Sequence, residues 1–236
     1  MKQILALFLA LSLTLSLAAC GASGGAGAGP APADMALRGS FAGGVYRSEA
    51  LRLQIALPKF WSFCGDAQIA ELNGLSAEAL AESDITELIA EQGCFLSMMM
   101  TDPGGNTLNL ILQPGQPGAA GQSDEQLFAL AEQSLRNRYA RTSVSIDRRA
   151  AQYDCAMRVR SYTPTSLRLG DGEQTALHLL IDVVEKENNY LLYSFDQYQL
   201  WYRPDGDYMG VLTLAITDGS DPQPILDGIA ALHEHE

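Results

Sequence analysis

Leu51, Leu53, Ile55 and Leu57 alternate with Arg52, Gln54 and Ala56, a period of two that predicts a strand over Tyr46–Leu57 with one face buried. Pro58 stops it, because proline brings no ladder donor. Phe60, Trp61 and Phe63 follow as an aromatic cluster placed to plug one end of a core. Helical signals then run from Asp66 to Gly93. Asp66 caps a short helix ending at Gly74, Ser76 caps a second, and Asp84–Gln92 forms a third that Gly93 closes in the left-handed conformation. Phe95–Thr101 and Thr107–Gln113 read as two strands around the turn sequence Asp102-Pro103-Gly104-Gly105-Asn106, with Leu108, Leu110 and Leu112 as the apolar face of the second. Beyond a glycine- and proline-rich loop, Ser123 and Gln126 have the spacing of a capping box. Asp124 and Glu125 open that helix and Arg136 and Arg138 close it, as the helix dipole favours, and Leu127, Ala131, Leu135 and Tyr139 give it one apolar stripe.

The second half is richer in strand patterns. Strands are predicted at Ser143–Arg149, Tyr153–Tyr162, Thr175–Glu185, Tyr190–Arg203 and Asp207–Thr217, with Pro204-Asp205-Gly206 turning the last two into a hairpin. Leu177, Leu179, Ile181 and Val183 alternate as a strand would, and a helix over the same residues stays open as the alternative. Asp221–Leu232 is predicted as a closing helix. The order implies a single α+β domain over residues 43–236, with a mainly antiparallel sheet flanked by helices.

What precedes that domain has a different composition. Residues 1–19 read as a secretory signal: Lys2, an apolar run from Ile4 to Leu17, then Ala18 and Ala19. The run is about fourteen residues, short of the roughly twenty that span a bilayer core. Leu17-Ala18-Ala19-Cys20-Gly21 resembles the lipobox of bacterial lipoproteins. The resemblance implies a diacylglyceryl group on the Cys20 sulfur, cleavage just before it, and anchoring to the outer face of the cell membrane. Stable anchoring needs two or more acyl chains, each buried CH₂ contributing about 0.8 kcal/mol. Residues 20–42 form the linker. Its Gly/Ala/Pro stretch from Gly21 to Ala33 has no charge and no large apolar side chain, so it is expected to stay disordered as a tether.

Charge narrows the partners. The formal net charge is -13, and removing Lys2 with the leader makes the mature chain one unit more acidic. Phosphate neutralisation needs clustered cations, so nucleic acid is not an expected partner. A body this acidic is also not expected to lie flat on an anionic bilayer. With Cys20 lipidated, Cys64, Cys94 and Cys155 remain. An extracytoplasmic location permits disulfides. The preferred pair is Cys64–Cys94, which flank the helical excursion and would meet at its base; closing that loop would contribute roughly 3–4 kcal/mol. Three buried thiols are the alternative.

A second resemblance covers most of the folded part. SEALRLQIALPKFW, within Tyr46–Trp61, is similar to the opening YxNxxLGLxFxLPxGW of small lipoproteins from Gram-positive, Clostridia-like bacteria. The stretch from Ile69 to Asn73, the three-methionine strand and the strand opening at Tyr208-Met209-Gly210 also fit that group. These proteins look like relatives of the PsbP-type α-β-α sandwich. The chain departs from them at Lys59-Phe60, where the group usually has an acidic residue and glycine, and in the length of the segment from Thr163 to Asn189. The resemblance implies a fold and a location and no reaction.

The remaining chemistry is sparse. No HExxH, GxSxG, Walker loop or CxxC occurs. His233 and His235 lie in the terminal HEHE, without a fixed set of further ligands, so no metal site is expected, and no cofactor. Asp205 and Asp207 belong to a hairpin turn and lack the twelve-residue calcium pattern. His178 is the one candidate general base for a serine or cysteine nucleophile, and nothing in the sequence marks its partner.

Two clusters remain as candidate binding residues. Arg136, Arg138, Arg141, Arg148, Arg149, Arg158 and Arg160 are dense in an acidic chain and would recognise an anionic wall polymer, headgroup or acidic partner; dipole compensation with cross-strand pairing to acids is the favoured alternative. The second is aromatic, with Tyr193, Tyr198 and Trp201 as its candidate contacts for sugars or peptide should one face be open; a strand buried on both faces is the default reading. The expectation is a tethered, non-catalytic binding or accessory domain whose partner is a cell-wall polymer or a membrane protein complex. The alternative is an extracytoplasmic hydrolase of unrecognised type.

Overall fold

The computed structural model describes residues 37–115, 123, 125–126, 128–129, 132, 143–148, 151–170, 172–202, 208–217 and 219–232. The period-two segment at the start is two strands, not one. β1 (Ser40–Ala42), β2 (Val45–Ser48) and β3 (Leu53–Ala56) form an antiparallel meander. A turn over residues 49–52 breaks the expected strand, with the Arg52 N–H donating to the Glu49 carbonyl at 3.1 Å and Arg52 at φ 49°. Both strands keep their buried residues in alternation, so the pattern alone did not reveal the reversal.

β4 (Ser62–Phe63) leads to three short helices, α1 (Asp66–Leu72), α2 (Ala77–Glu82) and α3 (Ile85–Gln92). Their ends follow local chemistry. Ser76 Oγ accepts from the Ala79 N–H at 3.1 Å, Asp84 Oδ1 accepts from the Thr86 and Glu87 N–H groups at 2.7 and 3.1 Å, and Gly93 closes α3 at φ 80°. Gly65, not Asp66, caps α1. β5 (Phe95–Thr101) and β6 (Thr107–Pro114) match their predicted bounds closely. They are followed by β7 (Ser143–Arg148), β8 (Ala151–Leu169), β9 (Gly172–Glu185), β10 (Leu191–Tyr202) and β11 (Tyr208–Thr217). The segment left open between strand and helix is strand β9, with Leu177, Leu179, Ile181 and Val183 buried together on one face.

These strands form an eight-stranded antiparallel sheet in the order β4-β5-β6-β11-β10-β9-β8-β7. The expected closing helix is instead the four-residue α4 (Gln223–Leu226) followed by β12 (Ile229–Ala231), which pairs with β3 and completes a second, four-stranded sheet, β1-β2-β3-β12. The Leu232 N–H donates to the Arg52 carbonyl and the Gly170 N–H to the Ile229 carbonyl, at 2.8 and 2.9 Å. Strand pairing here satisfies the β3 edge, which a helix would have left open.

The α+β class stands, but the helix-flanked single sheet does not. The described residues form two sheets, and strand residues far outnumber helical ones. One face of the large sheet, through Leu110, Leu200, Leu212 and Leu214, packs into a common core with Leu53, Ile55 and Ile229 of the small sheet and Ile69, Leu80 and Ile89 of the helices. The other face holds a second core around Phe195, with Leu177, Leu179, Ile181, Val183 and Met157. Phe128 covers it: its ring lies 5.4 Å from that of Trp201, and Tyr162 donates to its carbonyl. The Ser123–Gln126 capping box forms, with reciprocal bonds of 3.1 and 3.3 Å. The stripe residues Leu127, Ala131, Leu135 and Tyr139 lie outside the described residues. Because both faces are covered, polar residues alternating with the leucines are also inside: Asn109, Thr213 and Gln199 are buried.

Cys64 and Cys94 are not joined by a disulfide. The register gives the reason. The Cys64 N–H donates to the Met99 carbonyl at 2.8 Å, so Cys64 lies beside Met99, whereas Cys94 precedes the far end of β5. Five residues of strand put them roughly 16 Å apart, against the 4.4–6.8 Å between Cα atoms that a disulfide requires. The excursion leaves one end of β5 and returns to the other. Asn73 clamps that other end, its side-chain amide bonded to the Leu96 N–H at 2.9 Å and to the Leu96 carbonyl at 3.0 Å.

Tyr46 ties β2 to the chain's entry, its hydroxyl donating to the Arg38 carbonyl at 3.1 Å. Burial pushes its phenol up to about 12, with the neighbouring Ser97 and Ser48 hydroxyls pulling the other way. The protonated form is neutral and the fold holds it, so this contribution is complete below pH 10. It is lost as pH rises from 10 towards 12, where the unfolded chain ionises first. Between pH 9 and pH 11 the parent should therefore lose about 1 kcal/mol more stability than Tyr46→Phe, read from urea midpoints at the two pH values. Equal losses would contradict it.

Candidate functional site

β8, β9 and β10 carry their leucines, isoleucines and valines mainly to the Phe195 core, so their alternate residues face the opposite side. There the register forms rows: Arg158, Asp182 and Ser194; then Ser161, Leu180 and Asp196; then Thr163, His178 and Tyr198. Arg158 and Thr163 are exposed, and Ser161, His178, Leu180, Asp182, Ser194 and Tyr198 are half-buried. This part of the face is a polar strand surface.

Two networks order it. The ladder skips a residue between Val159 and Ser161, which makes Arg160 the extra residue of a bulge, a device that re-aims side chains. Its guanidinium forks onto Asp182, through Nε to Oδ2 at 3.0 Å and through Nη2 to Oδ1, and also reaches Ser194 Oγ at 3.0 Å. Ser194 in turn donates to Asp182 Oδ1 at 2.7 Å. In the second network His178 Nε2 lies 2.6 Å from Asp196 Oδ1, a diagonal cross-strand pair. Asp196 Oδ2 accepts from the Gly219 N–H at 3.2 Å. The imidazole stacks on Tyr198, centroids 4.6 Å apart and planes within 9°. Burial raises the Tyr198 phenol, and the charges of Asp196 and then Asp221 raise it further, so the hydroxyl stays protonated and can donate.

The sequence candidates separate on this frame. Arg158, Arg160, His178 and Tyr198 come together on the polar surface. Tyr193 and Trp201 occupy the opposite face of β10, beside Phe195 and Phe128 respectively, so the three aromatic candidates do not form one surface. Arg148 pairs with Ala151 at the tip of the β7–β8 hairpin, seven residues and roughly 23 Å of strand from Arg158. Arg136, Arg138, Arg141, Arg149, Cys20, Asp205, Asp207, His233 and His235 lie outside the described residues. Asp182, Ser194 and Asp196 were missed. Their signal was a carboxylate interrupting each of two strand patterns, LLIDVV and YSFDQY, although aspartate is depleted in strands.

A cavity of about 220 Å³ lies elsewhere, lined by Arg38, Tyr46, Phe63, Cys64, Asp66 and Met98 among others. Arg38 and Asp66 form an ion pair at 3.1 Å on its wall, and burial pushes the Cys64 thiol up. Among the described residues no group of three His, Cys, Asp or Glu side chains is placed to hold a metal, and no helix is long and apolar enough to cross a membrane.

No family model matches the chain, and no curated protein matches it. Among solved structures it is similar to the solution structure of cyanobacterial PsbP (CyanoP) from Synechocystis, at 9% identity and a TM-score of 0.39, over 89% of this chain and 98% of that one.

Proposed function

We propose that this protein is a lipid-tethered extracytoplasmic binding domain, without a reaction of its own, that offers the strand surface of β8–β10 to a partner rich in hydroxyl and charged groups. A cell-wall polymer or a neighbouring membrane protein complex has that chemistry. The observation that carries the reading is the pair of internally ordered networks, Arg160–Asp182–Ser194 and His178–Asp196–Tyr198, on one face of the large sheet. Side chains held by one another and mounted on a rigid sheet lose little entropy when a ligand arrives, which favours recognition. A strand face that leaves Arg158 and Thr163 exposed suits an extended ligand better than an enclosed small molecule. The tether is supported by the Leu17–Gly21 pattern and the composition of the linker.

The test is retention on purified peptidoglycan and on membrane complexes from the outer face. His178→Ala combined with Tyr198→Ala removes a stacked pair, and loss of an aromatic platform of this size weakens binding about tenfold. Tyr190→Ala, exposed on the β9–β10 turn, serves as the control and should leave retention unchanged. Equal retention of the double variant and the parent would discard this surface. For the tether, Cys20→Ser should move the chain from the membrane to the soluble fraction.

A further inference from the structure

We infer that the corner of the domain carrying Phe41 and Phe60 rests in the headgroup region of a lipid bilayer, an inference that depends on the tethering reading above. Phe41 is 53% and Phe60 74% exposed, unusual for rings that gain by burial. Phe60 is also held at φ 68°, in the left-handed region that a side chain disfavours. The turn that imposes this is closed by the Trp61 N–H on the Pro58 carbonyl at 3.1 Å. The fold thus bears backbone strain to hold a ring out in solvent, and strain of this kind gathers at functional positions. The Lys59 ammonium sits 4.8 Å from the Phe60 centroid. An aromatic ring beside a lysine is a pair suited to the interface, with the ring among the upper acyl carbons and the cation among the phosphates.

The two rings share one corner. Phe41 packs its ring on Phe63 at 4.2 Å, and the Leu57 N–H, just before the Phe60 turn, donates to the Gly44 carbonyl at 2.8 Å, in the turn that follows Phe41. The chain enters the fold at the same place. Leu37, four residues before Phe41, is buried. Sixteen residues separate it from Cys20, and a glycine-rich segment of that length reaches roughly 20–24 Å. The surface around Leu37 is therefore the part of the body held nearest the acyl chains. Contact at one corner by two rings and one lysine also agrees with the acidity of the whole, because the rest of the body stays clear of anionic headgroups.

The experiment uses the full lipidated chain in vesicles of phosphatidylcholine and phosphatidylglycerol carrying brominated acyl chains, which quench indole on contact. Phe60→Trp and, separately, Phe41→Trp are compared with the parent, whose own Trp61 and Trp201 set the background. Arg158→Trp is the distant control, six strands from β4 and so roughly 29 Å across the sheet. At an interfacial depth of about 5–10 Å, either introduced indole near the corner should lose about half its emission, and the control should lose little. Two positions are used so that a misfolded variant at one, recognised by its thermal transition, leaves the other to decide. A vesicle-bound chain quenched no more at these positions than at the control overturns the inference while the tether survives. Failure of the parent to stay with the vesicles, or equal retention of Cys20→Ser, overturns the tether and this contact with it.

Discussion

Gly39→Ala is expected to lower the unfolding free energy by about 3 kcal/mol. Gly39 lies at φ 72°, where a β-carbon meets the following carbonyl, and that alone costs roughly 1–2 kcal/mol. The new methyl would also fall inside the contact radius of the Tyr46 hydroxyl and 2.8 Å from the Arg47 carbonyl oxygen. The carbonyl belongs to β2 and the tyrosine is buried, so neither can withdraw without disturbing the small sheet. Overpacking of this sort adds about 1–3 kcal/mol. Gly43 separates the two causes. It has φ 59°, and a methyl placed there would have nothing within 4 Å, so Gly43→Ala should show the conformational cost alone, about 1 kcal/mol. Urea titrations of both variants give the difference. If the two losses were equal, the close approach at Tyr46 would not be real.

Phe195→Ala is expected to cost about 4 kcal/mol, the largest effect of any single change considered. Its ring is fully buried at the centre of the second core, with Leu179, Ile181 and Ala215 in the same cluster. Its neighbours are anchored in β9 and β11, each paired across its length, so the sheet cannot collapse into the space left behind. Differential calorimetry or urea unfolding measures the loss. A cost under about 1.5 kcal/mol would mean that this face of the sheet is loosely covered, because only a site free to relax tolerates such a truncation so cheaply.

Much of the local architecture was legible in the residues. α2 begins where Ser76 predicts, and α3 begins and ends where Asp84 and Gly93 predict, because caps are contacts within a few residues. The β5–β6 hairpin follows its turn sequence for the same reason: Asp102 Oδ1 accepts from the Asn106 N–H at 2.8 Å. The errors arose where a partner lay far along the chain. Ile225, Leu226 and Ile229 suit a helix as well as a strand, and only the open edge of β3 chose a strand for Ile229–Ala231. Asn109, Thr213 and Gln199 look like an outward face until a second core is laid over them.

The candidate site divides along the same line. His178, Tyr198 and Arg160 could be singled out as residue types, and alternation placed them in strands. Which of them share a surface depends on the β8–β9–β10 register and on one bulge at Arg160, quantities set by pairing between residues far apart in the chain. By itself the sequence determined the α+β class, most element positions and the acidity, because each is written in neighbouring residues. Only the tertiary structure decided that the described residues form two sheets, that Cys64 and Cys94 stand at different ends of β5, and that Tyr198 faces away from Tyr193 and Trp201. Those outcomes follow from which edges and faces find partners, and burial and pairing are properties of the assembled chain.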